Sequence, residues 1–288
     1  LPKKQVTKPQ ILLLSGAGII LLALFIFGKT HLPSKNTAPA TASSEAHNHQ
    51  DESNELIASA RKLLKPGQLN SLQVIENQLN KNSTPEDTLH TYHQLSRFWA
   101  DSAGIFELQA YYAGEASKLE NSEKSLTFAA RLYLDNLMVS SNQPGLQHWL
   151  AENAKDLFDR ALVINPENDS ARIGLGACYI FGNLSDNPME GILPIREIVT
   201  KNPNNLYGQM ILGLGGKKSG QYDKAIERFQ LVLAKEPTNL EAAFNLAECY
   251  ELKGDKPAAI RAYEDLKRIV KRPDIIKEFD NRINELKK

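Results

Sequence analysis

What most limits the fold of this chain is a 34-residue period in its second half. Leu206 to Asn239, "LYGQMILGLGGKKSGQYDKAIERFQLVLAKEPTN", puts Leu212 and Gly213 at positions 7 and 8, Gly220 at 15, Ala225 at 20, Phe229 at 24 and Pro237 at 32. The next stretch restarts at Leu240, with Leu246, Ala247, Tyr250, Gly254, Ala259 and Tyr263 at positions 7, 8, 11, 15, 20 and 24. Small residues at 8 and 20 let two antiparallel helices approach closely, and the ring at 24 fills the space beside them. Proline at 32 stops the second helix before the next unit begins.

The phase continues towards the N-terminus. Asp169 opens a unit with Leu175, Gly176 and Tyr179 at 7, 8 and 11. Glu123 opens another, with Ala130 and Tyr133 at 8 and 11, and with Ala154, Phe158, Ala161 and Pro166 at 20, 24, 27 and 32 counted back from Asp169. Leu89 opens a weaker unit through Leu95, Ser96, Trp99 and Tyr112. The starts at 89, 123, 169, 206 and 240 lie 34, 46, 37 and 34 residues apart, so two units carry insertions. The longer one is expected around "MVSSNQPGLQH", a cluster of turn formers between helices. This pattern resembles the tetratricopeptide repeat (TPR) family, with Gln209 where Trp is usual and Gly216 where Tyr is usual. The resemblance implies an all-α TPR solenoid of about five helix–turn–helix repeats over residues 89–273.

One stretch, "GNLSDNPMEGILPIREIVTKNPNN" at 182–205, tests that phase because it holds two helix breakers. Counted back from Pro203 at position 32, Gly191 falls at 20, Ile195 at 24 and Ile198 at 27, which makes the stretch the second helix of the third repeat. Gly191 is expected to replace the close-packing alanine. Asn187-Pro188 reads as a cap followed by proline at the first helical position. Pro194 fits no position in the pattern, and predicts a kink or a helix that becomes regular only near Ile192.

Beyond the repeats, "ELIASARKLLKPGQLNSLQVIENQLN" predicts an N-terminal helical pair within 55–88, broken at Pro66-Gly67. "PDIIKEFDNRINELKK" aligns Ile275, Ile276, Phe279, Ile283 and Leu286 on one face, as expected of a capping helix over 274–288. Ile11 to Phe27 is an uncharged apolar run, long enough to span a bilayer core, so residues 11–28 are expected to form a single transmembrane anchor. No A-x-A pattern closely follows the run, which argues against a cleaved signal peptide. Lys3, Lys4 and Lys8 before the span outnumber Lys29 and Lys35 after it, which places residues 1–10 in the cytoplasm and the repeats in the periplasm of a Gram-negative inner membrane. Residues 29–54, poor in apolar side chains, are expected to be a flexible tether.

The composition gives no sign of catalysis. Basic and acidic side chains balance at 34 each, which argues against a nucleic-acid partner. Cys178 and Cys249 occupy position 10 of non-adjacent repeats and read as buried apolar fillers rather than a redox pair. His47 and His49, near Asp51 and Glu52, stand in a stretch expected to be too unstructured to preorganise a metal site, and His90 with His93 lack the further ligands one needs. Gly213, Gly215, Gly216 and Gly220 lack the G-K-[ST] ending of a phosphate loop. The expectation is a non-enzymatic chain with no cofactor and no metal.

By the TPR resemblance, positions 2, 5, 9, 12 and 13 of each first helix face a concave groove that holds a protein or peptide. In the last three repeats these are Ser170, Ile173, Ala177, Ile180 and Phe181; Tyr207, Met210, Leu214, Lys217 and Lys218; then Glu241, Phe244, Glu248, Glu251 and Leu252. Asn245 suits a carboxylate-clamp position, but Ile173, Ala177 and Met210 occupy the companion positions, which speaks against that clamp. With its anchor, "SRFWADS", "LENSEKSLTFAARLYLDNL" and "NPMEGILPIREIV", the chain resembles membrane-anchored TPR proteins of Bacteroidota-type bacteria. That resemblance implies a scaffold; an assembly chaperone for exported or apocytochrome chains is the alternative.

Overall fold

One short device builds the junctions between units. Two residues after Pro166, Pro203 and Pro237 stand Asn168, Asn205 and Asn239. Each side-chain oxygen accepts from the backbone three residues on: Ala171 at 3.0 Å, Gly208 at 3.0 Å and Ala242 at 2.9 Å. The proline ends one helix and the asparagine caps the next, a cap of this kind contributing about 1 kcal/mol. Within units a left-handed residue reverses the chain at position 15: Asn183 (φ 53°), Gly220 (φ 74°) and Gly254 (φ 85°).

The computed structural model describes residues 42–79, 83–139 and 143–288, whose regular structure is helical throughout. Residues 42–47 begin helix α1 (Ala42–Arg61), and the chain from Asn48 to Lys288 is one unit. Helix α2 is Pro66–Glu76, with Pro66 in its first turn. Five antiparallel pairs follow, each with a first (A) and a second (B) helix. They are α3 (Pro85–Arg97) with α4 (Phe106–Glu120), α5 (Glu123–Val139) with α6 (Pro144–Ile164), α7 (Asp169–Phe181) with α8 (Met189–Lys201), α9 (Leu206–Lys218) with α10 (Tyr222–Lys235), and α11 (Leu240–Lys253) with α12 (Lys256–Ile269). Helix α13 (Pro273–Leu286) packs on α12 through Phe279 and Ile283. The first pair is joined by a π-helical turn, Phe98–Ala103, that closes on Gly104 at φ 69°.

The core is a succession of clusters shared between neighbouring pairs, as in a solenoid. Trp99, Tyr133, Phe158 and Phe229 are its largest fully buried side chains. The A helices α5, α7, α9 and α11 touch in succession, each directly against its neighbour, whereas α8, α10 and α12 touch one another far less. Tighter spacing on the A side makes that side concave. Cys178 and Cys249 are buried and unbridged, and burial raises the Cys249 thiol to about 11.

Several expectations change. The anchor at 11–28 and the N-terminal segment 1–10 lie outside the described residues, as do 29–41 of the tether. Among the described residues no helix is long and apolar enough to cross a membrane. Residues 42–54 belong to α1 and are not part of a structureless tether. Ser53 is buried and accepts a hydrogen bond from Trp149 Nε1 of α6 at 3.3 Å, a tertiary contact that composition alone does not reveal. The long insertion in the second unit is taken up mainly by helix: α5 and α6 have 17 and 21 residues, against 13 or 14 in α7 to α12.

Helix α8 is regular from Met189, not from Ile192, and continues through Pro194. Its start is held by Asn187, whose Oδ1 accepts from the Met189 backbone at 3.1 Å. Proline at 194 removes the donor that would reach Glu190, in the exposed first turn, which limits the cost of the missing bond. Gly191 is not a stand-in for alanine. A Cβ there would lie 2.1 Å from the Gly176 carbonyl oxygen, and a Cβ on Gly176 would lie 2.6 Å from the Gly191 oxygen.

Candidate partner-binding groove

The A helices bring the expected groove residues to one side but not to one depth. Ile173 and Ala177 are fully buried, and Ile180 and Met210 nearly so. They do not line an open surface, because adjacent A helices pack directly against each other through these positions. Gly208 of α9 sits against Ile173, and Gly215 sits against Ile180. Phe181, Tyr207, Leu214, Lys217, Glu248 and Glu251 are half-buried, while Lys218, Glu241, Phe244 and Leu252 are exposed.

Charge is distributed along this face in three places. At its middle the Arg131 guanidinium of α5 lies over the Tyr207 ring, 4.6 Å from its centroid, a cation–π contact worth roughly 0.5–2 kcal/mol depending on desolvation. Burial holds the Tyr207 phenol well above its usual range, and its oxygen has no hydrogen-bond partner among the described residues. Partial desolvation by the neighbouring helices also raises the carboxyls of Asp135 and Glu241; Asp135 adds repulsion at Glu241, and Lys217 partly offsets it. Neither Arg131 nor Asp135 was among the expected residues. Positions 9 and 13 of the unit opening at Glu123 hold them, so the same position rule extended one repeat earlier finds both.

Next along the face, Lys217 Nζ donates to Asn245 Oδ1 at 2.6 Å and to Glu248 Oε2 at 2.6 Å, tying α9 to α11. Asn245 is therefore buried and engaged within the fold rather than presented to a ligand carboxylate. Lys218 donates to the Ile180 carbonyl at 2.9 Å at the C-terminus of α7, where a cation meets the negative end of the helix dipole. Burial lowers its ammonium pKa, and Nζ stands 5.5 Å from the Phe181 ring centroid.

At the C-terminal end the face widens between α11 and α13. Phe279 of α13 lies between Phe244 (6.3 Å between centroids) and Tyr263 (5.8 Å). Arg282 of the same helix forms a two-pronged ion pair with Glu251, while Tyr263 Oη donates to Glu251 Oε2 at 3.1 Å. Phe279, Tyr263 and Arg282 contribute to this face although they belong to no first helix of the five repeats, so position counting passes over them.

His93 Nε2 pairs with Glu120 at 2.9 Å, and His90 Nε2 meets Gln94 at 2.8 Å. The side chains of His47 and His49 lie outside the described residues. Among the described residues no three His, Cys, Asp or Glu side chains gather as metal ligands.

This is the geometry of a TPR-like solenoid, a class whose extended concave face generally serves protein–protein contact. Residues 218–275 match the tetratricopeptide repeat family model. A chloroplast protein of Arabidopsis thaliana is 32% identical over 130 residues, covering 40% of this chain and 38% of that protein. The chain thus spans well under two thirds of the length of that relative. Among solved structures, a MamA protein of Desulfovibrio magneticus is 19% identical, with a TM-score of 0.41, covering 64% of this chain and 95% of that one. YrrB, described as a TPR protein with an unusual peptide-binding site, is 18% identical, with a TM-score of 0.41, covering 73% of this chain and 96% of that one.

Proposed function

We propose that the chain is a non-enzymatic, membrane-anchored scaffold that binds a segment of a partner protein along its A-helix face. The observation that carries this reading is the face itself: Phe244 and Leu252 stand exposed at its C-terminal end with Glu241 on the same helix, and Arg131 and Asp135 stand further along it on α5, none of these three charged groups held in a direct ion pair among the described residues. Exposed apolar side chains flanked by charge mark interaction surfaces rather than catalytic centres. The uncharged run at 11–27 supports the anchor, and the lysine bias before it supports a periplasmic solenoid. An assembly chaperone for exported chains would use the same face, and differs in releasing its partner.

Photo-cross-linking tests the surface directly. With a photoreactive residue at position 131 or 252, the full chain is expected to form a covalent adduct with its partner. The same residue at position 231, where exposed Leu231 lies on B helix α10, is expected to give none. Adducts from 231 alone would overturn the assignment. A reporter fused after Lys288 is expected to be active in the periplasm; activity in the cytoplasm would overturn the orientation.

A further inference from the structure

The A-helix seam that is closed from α5 to α11 opens between α11 and α13. There the two helices meet through the Phe244–Phe279 ring pair, and a cavity lies on either side of it. One, of about 390 Å³, reaches Leu252, Arg282 and Glu285; the other, of about 490 Å³, reaches Leu240, Val270 and Ile275. Both are lined by Phe244, Glu278 and Phe279, so they adjoin on the two sides of the rings, and this pair is the trough. Its floor on α11 carries exposed apolar side chains: Leu240 is 48% and Phe244 39% exposed, one turn apart on the same face, and Leu252 is 55% exposed two turns further on, beyond Glu248.

Its rim is acidic. Glu248, Glu251, Asp274, Glu278 and Glu285 line the two cavities, with Arg282 the only cationic lining residue. Arg282 is held by Glu251 and Glu285, Glu248 by Lys217 and Asp274 by Arg272. Glu278 has no ion pair among the described residues, and Glu241 beside Leu240 carries a further negative charge. Carboxylates remain in excess around an apolar floor in a chain whose net charge is zero.

We propose that this trough holds a cationic amphipathic helix of a partner protein, with apolar side chains on Leu240, Phe244 and Leu252 and lysines or arginines over Glu278 and its acidic neighbours. Helix in groove is the mode in which an apolar stripe supplies area and flanking charges supply selection. A segment of three to four turns, about 20 Å, matches the length of α11. The inference rests on the groove reading and narrows it to one end of the groove and one sign of charge.

The test uses the full chain in mild detergent and four fluorescent 14-residue peptides: a Leu/Lys amphipathic helix, its Glu-for-Lys and Gln-for-Lys versions, and a Ser-for-Leu version that keeps the charge. The Leu/Lys peptide is expected to bind about tenfold or more tightly than the Gln and Ser versions, with no measurable binding of the Glu version, and to weaken as salt rises. Glu278→Lys is expected to weaken it about fivefold or more, and Leu252→Glu about tenfold, with unchanged circular dichroism. Equal binding of the Lys and Glu peptides, or of the Ser and Leu peptides, would overturn the proposal. So would wild-type affinity in both variants, or a dimer of the full chain that Leu252→Glu dissolves. If peptide binding fails while partner adducts still form from position 131, the trough assignment falls and the groove reading stands; loss of adducts from both 131 and 252 removes the groove reading itself.

Discussion

Gly191→Ala is expected to destabilise the protein by at least about 3 kcal/mol, lowering Tm by roughly 6 °C or more. The added methyl would sit 2.1 Å from the Gly176 carbonyl oxygen, well inside van der Waals contact. Nothing flexible can give way, because the obstructing atom is backbone of α7. The helices α7 and α8 would have to separate, and with them the contacts of Ile195 and Ile198, both buried at this interface. Gly176→Ala should behave alike, since its Cβ would meet the Gly191 oxygen at 2.6 Å and Ile195 carbons at 2.8 Å. Gly145→Ala, where an added Cβ has no neighbour within 4 Å, is the matched control and should change Tm little. Thermal unfolding followed by circular dichroism measures all three. A Gly191→Ala protein as stable as the control would show that the close backbone crossing is not present in solution.

Phe158→Ala is expected to cost about 3–5 kcal/mol. The ring is fully buried on α6 and rests against the bare backbone of Gly174 on α7, where a Cβ would lie 2.2 Å from Phe158 Cζ. Truncation removes apolar contact and leaves a cavity that two rigid helices cannot close. The same contact predicts coupling. Gly174→Ala alone should cost about 1–3 kcal/mol through the clash, whereas adding it to Phe158→Ala, which vacates that space, should cost little or restore part of the loss. Urea denaturation of the two single variants and the double variant measures the interaction energy. Strict additivity would mean that ring and glycine do not share the space described.

The most legible parts of the sequence were those whose cause is local. Pro166, Pro203 and Pro237 each follow the end of a B helix, and the fully buried rings at position 24, Phe158 and Phe229, repeat a size requirement along the chain. The groove was only half legible. Position counting found Tyr207, Lys217 and Phe244, but it also selected Ile173, Ala177 and Met210, which lie buried between neighbouring A helices. It stopped one repeat short of Arg131 and Asp135, and had no rule for Phe279 and Arg282 on α13.

By itself the sequence determined the repeat phase, the pairing of helices and where α6, α8 and α10 stop, because proline, glycine and asparagine act on the backbone within a few residues of themselves. Only the tertiary structure decided that Gly176 and Gly191 meet backbone to backbone, that Arg131 covers Tyr207, and that the A-helix seam opens into an acidic trough at α13. Those contacts depend on the distance and stagger between stacked helices, which are set by the packing of many side chains at once and leave no fixed spacing in the sequence.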